Sequence, residues 1–273
     1  MLGRQHLYAP VKEILKIAKN NGLGDASNHI DWGQKYSEPL FKLLGAKVVE
    51  SLDYSDFEGA SVIHDLNFPV PAQLKSKYSV VFDGGTLEHV FNFPQALDSC
   101  IQMIRPGGHF ISITPVNNQC GHGFYQLSPE LFFSVFSPER GFKLKKVLLA
   151  VDVPGKGIRD WYEVSNPKHV GSRVTISNEF PTYVMVLAQR VKAIEDSPLV
   201  VYQSDYLHAW HSHKTVSTNT SVLKTIYKSV VPISFRNAVY TWRSKFTNQR
   251  YVSELGNVNP AFFKKVEEDN ANS

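Results

Sequence analysis

The chain has 273 residues, 42% of them hydrophobic, which allows one good-sized core with an extension or two small domains. Its net charge of +4 is too small to predict nucleic-acid binding by itself, and two cysteines, Cys100 and Cys120, do not make a disulfide framework. No apolar run reaches the roughly 20 residues of a membrane span and no signal-peptide pattern is present, so we expect a cytoplasmic protein without a specific nucleic-acid partner.

Strand-like and helix-like patterns alternate between residues 46 and 150, which is typical of an α/β fold with a mainly parallel sheet. Three predicted strands end at or near an aspartate: 46–53 at Asp53, 60–66 at Asp65 and 78–83 at Asp83. A fourth, 109–116, follows the turn Arg-Pro-Gly-Gly and ends near Pro115. The pattern predicts a Rossmann-like sheet with helices on both faces.

Two helices are predicted within this region. The first, over 93–104, has Pro94 in its first turn and a predicted end at Gly107 and Gly108. One apolar stripe runs along it: Ala96, Leu97, Cys100, Ile101 and Ile104. The second begins with Ser128 as the N-cap residue and Pro129 at the first helical position.

The pattern changes in the last third of the chain. Residues 141–153 and 181–191 are predicted as an antiparallel pair at one edge of the sheet, with a loop over 154–180 between them. The α/β alternation stops near residue 196, so we expect a domain over 1–195 and a mostly helical C-terminal extension over 196–273.

The C-terminal extension contains a basic stretch. Between residues 214 and 250 there are seven Lys or Arg residues, interleaved with aromatic residues, and no Asp or Glu. Two interpretations are open: a solvated helical face whose aromatic side chains pack on the main domain, or peripheral contact with an anionic surface such as membrane headgroups.

Asp53, Asp65 and Asp83 are expected at one rim, because ligands of open parallel sheets bind beyond the carboxyl ends of the strands. Each aspartate alone is more typical of a turn or a helix cap. Together they make an acidic rim, and the chain has neither G-x-G-x-x-G nor G-x-x-x-x-G-K-[ST] to bind phosphate. Such a rim suits S-adenosylmethionine, which is cationic and has a ribose diol.

The stretch "FDGGTLEHVFNFPQALDSCIQMIRPGGHFISITP" resembles class I, Rossmann-like S-adenosylmethionine-dependent methyltransferases. In that family the fourth strand ends in a D-x-x-x-x-x-E-H pattern, and a helix, a Pro-Gly-Gly turn and a fifth strand follow. The resemblance is specific over about 46–150.

The resemblance implies roles for several residues. Asp53 would hold the ribose hydroxyls, Asp65 would accept from the adenine amine with the Leu66 backbone beside it, and Asp83 and Gly84 would lie next to the methionine part. The glycine-rich loop of the family is missing, and its only candidate is Gly3, about 50 residues before Asp53 instead of roughly 20. Either residues 6–35 are inserted in this chain, or cofactor binding is degraded.

Two clusters are candidates for the reacting end. Glu88 and His89 are candidate bases, and the alternative for His89 is a structural histidine. His122 is a further candidate base in the loop 117–126, where Asn117, Asn118 and Tyr125 are predicted to bind the acceptor. The alternative for this loop is a plain connector. No metal is expected, because Gly85 stands where some relatives carry the first carboxylate of a Glu-x-x-Glu-His metal cluster.

The sequence therefore predicts an S-adenosylmethionine-dependent methyltransferase that acts on an O or N acceptor of a small molecule or a glycan intermediate. The alternative is a noncatalytic protein of the same fold that serves as a partner or scaffold.

Overall fold

The computed structural model describes residues 1–23, 30–33, 35–171, 173–193, 199–213 and 262–266. Its α-helices are α1 (Val11–Asn20), α2 (Glu38–Leu43), α3 (Phe93–Met103), α4 (Pro129–Val135), α5 (Pro167–Val170) and α6 (Ser204–His213). Its strands are β1 (Leu52–Asp53), β2 (Val62–Ile63), β3 (Tyr78–Asp83), β4 (Ile104–Asn117), β5 (Phe142–Val153), β6 (Gly157–Val164), β7 (Thr182–Arg190) and β8 (Phe263–Lys265). The basic stretch 214–250 lies outside the described residues.

Leu2 links two sets of strands near the N-terminus. It makes parallel bridges to Leu52 of β1 on one side and to Asp83 of β3 on the other. β1 pairs in parallel with β2, and β3 pairs in parallel with β4. Counted along the chain from Leu2, the spatial order of these strands is third, second, first, fourth, fifth, which is the order of the doubly wound α/β fold.

Beyond β4 the pairing changes direction. The larger sheet has the order β3-β4-β7-β5-β6-β8, and every pair in it except β3–β4 is antiparallel. The prediction of a mainly parallel sheet is therefore wrong for this six-stranded sheet. The reason is that β7 enters between β4 and β5, while β5 returns directly into β6 through a short turn at Gly155, where φ is +74°.

The predicted antiparallel pair of β5 and β7 is confirmed, but it does not form the edge of the sheet. β6 pairs with the other side of β5, and β8 pairs with β6. The prediction of a loop over 154–180 is wrong, because this range contains β6 and α5. Tyr162 and Val164 alternate with more exposed residues and face the core, which keeps β6 on the sheet.

The C-terminal extension takes part in this sheet. Among its described residues, α6 is helical, as predicted, and β8 is a strand that was not predicted. Phe263 of β8 is buried in the main core, which connects the extension to the first part of the chain.

Helices α3 and α4 follow the sequence pattern closely. The apolar stripe of α3 is buried, and Ser128 accepts a hydrogen bond from the Glu130 amide at the start of α4. Helix α3 ends at Met103, before the predicted stop at Gly107 and Gly108. The chain enters β4 directly, since the residue before Pro106 is disfavoured in helical conformation. Within the described part of the chain, no helix is long and apolar enough to cross a membrane.

The chain makes an excursion between Leu2 and β1. It leaves at Leu7 and returns at Lys35, where the Leu7 amide donates to the Lys35 carbonyl at 2.8 Å, and the Ser37 amide donates to the Gln5 carbonyl at 2.9 Å. Helix α1 packs in the excursion on a small core separate from the main one: Ile14, Ala18 and Leu43, with Leu7, Leu15, Leu23, Ile30, Trp32 and Leu40 around them.

This excursion accounts for the unusual spacing of the candidate site residues. Gly3 and Asp53 are 50 residues apart in the sequence, and without residues 8–34 they would be 23 apart. The long separation is therefore compatible with the short connection that the doubly wound order requires.

Strands β1 and β2 are much shorter than predicted. Next to their pairing, the hydroxyl of Ser61 accepts from the Ser51 amide at 2.9 Å and donates to the Ser51 carbonyl at 3.2 Å. The Ser51 hydroxyl accepts in turn from the Ser61 amide at 3.3 Å. Side chains thus take over backbone groups that would otherwise extend the ladder, so regular pairing stops there.

Candidate active site

The strand order reverses between Leu2 and β3, and crevices at such points are where open α/β sheets bind their ligands. The chain segments after Leu2 and after Asp83 diverge here. Gly3 follows the first of them, and Gly84 and Gly85 follow the second. Three glycines therefore follow the two strand ends at the point where a ligand is expected.

Gly3 makes a tight turn directly after the Leu2 bridge. Its φ is +59°, and its amide donates to the Leu52 carbonyl at 2.8 Å. A Cβ atom at this position would lie 3.0 Å from Thr86 Oγ1 and 3.9 Å from Asp53 Oδ2. Both the positive φ and the close packing thus favour glycine here, and a carboxylate lies beside the turn.

Asp53 ends β1 next to this turn. Its Oδ1 accepts from the Tyr54 amide at 2.7 Å, which fixes the orientation of the carboxylate. The structure therefore brings Gly3 and Asp53 together at the mouth of the crevice, despite their separation in the sequence.

Two side chains brace the turn. Thr86 Oγ1 donates to the Leu2 carbonyl at 3.0 Å, and Gln5 Nε2 donates to the same carbonyl at 2.7 Å. A Cβ atom at Gly84 would lie 2.8 Å from Gln5 Oε1, so Gly84 lets these segments approach each other. The turn is held by side chains as well as by the sheet.

Arg4, the residue after Gly3, anchors this segment. Its Nε donates to Glu38 Oε1 at 2.6 Å and its Nη1 donates to the Glu58 carbonyl at 2.9 Å. The guanidinium also lies over the ring of Tyr36, 3.9 Å from the centroid. Arg4 thereby ties the returning end of the excursion to the loop that follows β1.

Asp83 is fully buried and its carboxylate is already engaged. Oδ1 accepts from the Thr86 amide at 2.9 Å and from the Leu87 amide at 3.3 Å, while Oδ2 accepts from the Ser112 hydroxyl at 2.8 Å. Burial raises its pKa above the usual value. The side chain therefore holds the start of the 3₁₀ helix Leu87–His89, and contact of Asp83 or Gly84 with a cofactor stays a prediction.

Asp65 shapes the turn after β2. Its Oδ1 accepts from the backbone amide and the side-chain amide of Asn67, at 2.9 and 2.8 Å. The adjacent Leu66 side chain is buried in the main core, which fixes the backbone of this turn. Both predicted adenine contacts lie in a loop whose shape is locally determined.

Glu88 is the most unusual residue of the crevice. Its side chain is 1% exposed, and neither carboxylate oxygen accepts a hydrogen bond from any described residue. Burial, with a smaller contribution from the charge of Asp83, raises the pKa of Glu88 to about 7. A buried carboxylate without donors is costly, which makes this residue a candidate for function.

His122 lies beside this carboxylate although it is 34 residues further along the chain. Its Nε2 is 3.5 Å from Glu88 Oε1. The loop that carries it is docked on the 3₁₀ helix, because the amides of Phe124 and Tyr125 both donate to the Glu88 carbonyl, at 2.9 and 3.2 Å. A Cβ atom at Gly123 would lie 2.9 Å from that carbonyl oxygen, so only glycine permits this docking.

His89 completes the cluster at the surface. Its ring centroid lies 5.2 Å from that of His122, and both imidazoles are accessible to solvent. Partial burial and, to a smaller extent, the proximity of His122 lower the pKa of His89 below its usual value. The structure thus brings together all three predicted catalytic residues, Glu88, His89 and His122.

The predicted acceptor-binding residues have partners within the protein. Asn118 Nδ2 donates to the carbonyls of Asn178 and Phe180, at 2.9 and 2.8 Å, and Asn117 Nδ2 donates to Asn178 Oδ1 at 3.2 Å. Tyr125 donates to the Phe91 carbonyl at 2.7 Å. These contacts position the loop, so direct acceptor contact by Asn117, Asn118 or Tyr125 stays a prediction.

The sequence reasoning missed the exposed aromatic pair next to the histidines. Phe91 and Phe124 are 73% and 67% exposed, with ring centroids 6.0 Å apart in an edge-to-face arrangement. Phe91 comes two residues after His89, and Phe124 comes two residues after His122. An aromatic residue in a polar loop next to a candidate base was the signal that could have identified them.

Known proteins give little further guidance. No protein-family model and no curated protein sequence match the chain. A candidate methyltransferase of Bacillus halodurans is similar at 8% identity and a TM-score of 0.34, over 53% of this chain and 84% of that protein. The antibiotic-resistance methyltransferase Kmr is similar at 17% identity and a TM-score of 0.28, over 48% of this chain and 61% of that protein. The [4+2]-cyclase SpnF is similar at 8% identity and a TM-score of 0.34, over 70% of this chain and 87% of that protein. At TM-scores this low, the similarities carry no argument, and the fold rests on the strand order.

Proposed function

We propose that this protein is an S-adenosylmethionine-dependent methyltransferase that acts on an O or N acceptor of a small molecule or a glycan intermediate. The observation that carries the proposal is the left-handed turn at Gly3, at the point where the strand order reverses, with the Asp53 carboxylate beside it. A carboxylate at this place suits the ribose hydroxyls of a cationic cofactor, and the chain has no glycine-rich loop for a pyrophosphate.

The residues of the crevice fit this cofactor. Gly3 and Gly84 let the two segments approach more closely than a Cβ atom would allow, and Asp53, 3.9 Å from the Cβ position of Gly3, offers acceptor oxygens for a diol. Asp65 and the Leu66 backbone belong to the neighbouring loop, where the resemblance to methyltransferases implies the adenine contact. When bound, the cofactor supplies an electrophilic methyl group.

The acceptor would enter beside the cluster of Glu88, His89 and His122. Methyl transfer to a good in-line acceptor depends mostly on positioning, and a protein group is needed chiefly to take the acceptor proton. In the protein without a bound metal, the accessible imidazole of His89 or His122 can accept that proton. The exposed rings of Phe91 and Phe124 give the acceptor an apolar surface beside them.

Calorimetric titration with S-adenosylhomocysteine, run in parallel with NADH, tests the proposal. We expect binding of S-adenosylhomocysteine only, and a loss of about tenfold or more in affinity for Asp53→Ala, because the ribose loses a charged acceptor for its hydroxyls. Asp56→Ala, an exposed acid in the following loop, is the matched control and should bind normally.

Absence of S-adenosylhomocysteine binding in folded protein would contradict the proposal and favour the noncatalytic alternative. Folding is checked independently by cooperative thermal unfolding. Binding of NADH instead would point to an oxidoreductase.

A further inference from the structure

We propose that Glu88, His89 and His122 form a binding site for a divalent transition-metal cation. The inference concerns cation binding alone and does not depend on the methyltransferase proposal.

The three side chains are close enough to share one ion. One ligand atom from each residue lies within 4.8 Å of the others, and the pair Glu88 Oε1 and His122 Nε2 is 3.5 Å apart. Ligands that bind one ion at about 2.1 Å lie no more than about 4.2 Å apart. A small rotation of an exposed imidazole is therefore enough to bring all three into range.

The state of the Glu88 carboxylate is a second, independent observation. It is 1% exposed and aimed toward His122, and no described residue donates a hydrogen bond to either oxygen. A buried carboxylate in this condition destabilises the folded protein unless a cation or a donor compensates it. A metal ion between Glu88 and the imidazoles is such a cation.

The backbone positions the cluster without help from an ion. The Glu88 carbonyl accepts hydrogen bonds from the amides of Phe124 and Tyr125. Gly123 packs against the same carbonyl and against His89, since a Cβ atom at Gly123 would lie only 3.1 Å from His89 Nδ1. Preformed ligand geometry of this kind favours affinity, because little side-chain order is lost on binding.

The sequence analysis predicts no metal here, because Gly85 stands in the place of a carboxylate of the local motif. The third donor comes instead from His122 in a different loop. Gly85 also packs closely against the cluster: a Cβ atom there would lie 3.2 Å from Glu88 Oε1.

The donor set indicates which ions bind. Two imidazoles and one carboxylate suit Zn²⁺, Co²⁺, Fe²⁺ or Mn²⁺ better than Ca²⁺ or Mg²⁺, which prefer oxygen ligands. Three protein ligands leave coordination positions open, and the exposed sides of His89 and His122 place these toward solvent. The open positions would accept water or an oxygen atom of an acceptor.

Titration of tag-free, EDTA-treated full-length protein with Co²⁺ and Zn²⁺ tests the site, without any cofactor present. Visible absorption reports Co²⁺ coordination and calorimetry reports Zn²⁺ affinity and stoichiometry. We expect one ion per chain. His122→Ala and Glu88→Gln should each weaken binding by at least about tenfold, because changes that affect only the surroundings of a metal ligand already cost 10–100-fold.

Two control variants separate this site from other histidines. His169→Ala, an exposed histidine in α5, should bind like the wild type. The combined variant His208→Ala, His211→Ala and His213→Ala should also retain binding. Loss of binding in the combined variant together with normal binding by His122→Ala would overturn the proposal, as would the absence of a cobalt spectrum at millimolar metal.

A pair of glycine variants tests the positioning of the loop. Gly123→Ala pushes against the Glu88 carbonyl and should weaken Co²⁺ binding. Gly121→Ala has no atom within 4 Å of its Cβ position and only the strain of φ +84°, so the cobalt affinity should change less. Equal effects of both variants would contradict the preformed geometry.

Discussion

The two sides of the candidate site are supported by very different amounts of sheet. On the side of Gly3 and Asp53, the strands are the single bridge residue Leu2 and the two-residue β1 and β2. On the side of Glu88 and His122, β4 has 14 residues and pairs with the nine-residue β7. Both sides nevertheless present ordered polar groups at the same rim.

This difference shows that one sheet edge can be positioned in two ways. Long hydrogen-bonded ladders fix the side of β4, and they tolerate the change of a single surface side chain. The side of Leu2 depends on individual side-chain contacts, such as those of Arg4, Thr86 and Ser61. We therefore expect single substitutions to have larger effects on the Leu2 side.

The largest effect is expected for Gly3→Val. A branched side chain is strained at φ +59°, and its Cβ would press against Thr86 Oγ1 at 3.0 Å. We expect the affinity for S-adenosylhomocysteine to fall about 100-fold, which corresponds to about 2.7 kcal/mol. Gly22→Val is the control for strain, because it has φ +75° with no atom within 4 Å. Equal affinity of Gly3→Val and wild type would show that this turn lies away from the cofactor.

The second effect compares two ion pairs, one near Leu2 and one between long strands of the larger sheet. Arg4→Ala removes a partly buried ion pair with Glu38, a hydrogen bond to the Glu58 carbonyl and the contact with Tyr36. We expect it to lower the free energy of unfolding by about 2 kcal/mol. Lys146→Ala removes the exposed pair with Glu163 between β5 and β6 and should cost less than about 0.5 kcal/mol. Urea denaturation measures both, and similar losses would contradict the proposed difference.

The smallest effect concerns the price of keeping Glu88 buried. Because its pKa in the folded protein is about 7 and lies above the unfolded value, the folded state binds this proton more tightly than the unfolded state. Below the unfolded pKa, Glu88 is protonated in both states and does not lower the free energy of unfolding. As the pH rises from there through 7, the buried side chain increasingly destabilises the folded protein.

Glu88→Gln should accordingly stabilise EDTA-treated protein at pH 8 by about 1 kcal/mol, since the amide also lacks partners and recovers only part of the penalty. At pH 4.5 the gain should disappear. Thermal unfolding at the two pH values provides the measurement. A constant difference between variant and wild type would mean that the carboxylate does not titrate in this range.

The sequence predicted the helices and strands that are determined by residues close together in the chain. The stripe of α3, the Ser128 cap of α4 and the pair of β5 and β7 all follow from periodicity and capping residues that lie close together in the sequence. The lengths of β1 and β2 were not predictable in this way. They depend on Ser51 and Ser61, whose hydroxyls replace backbone partners only once the two segments are adjacent.

The sequence predicted which residue types the candidate site contains, but not how the distant segments that carry them come into contact. Asp53, Glu88 and His89 stand out because carboxylates and a histidine follow predicted strands. The approach of His122 to Glu88 depends on backbone bonds from Phe124 and Tyr125 that join distant segments. No pattern of residue types encodes that docking, although Gly123 was visible in the sequence.

The excursion between Leu7 and Lys35 has a consequence for how chains of this kind are found and redesigned. Its two ends meet where the Leu7 amide donates to the Lys35 carbonyl at 2.8 Å and the Ser37 amide donates to the Gln5 carbonyl at 2.9 Å, so it resembles an exchangeable cassette on an unchanged scaffold. A search that fixes the interval between glycine and aspartate discards any protein with such a cassette. An engineer could use the same junction to graft a different recognition element close to the candidate site while leaving Gly3 and Asp53 in register.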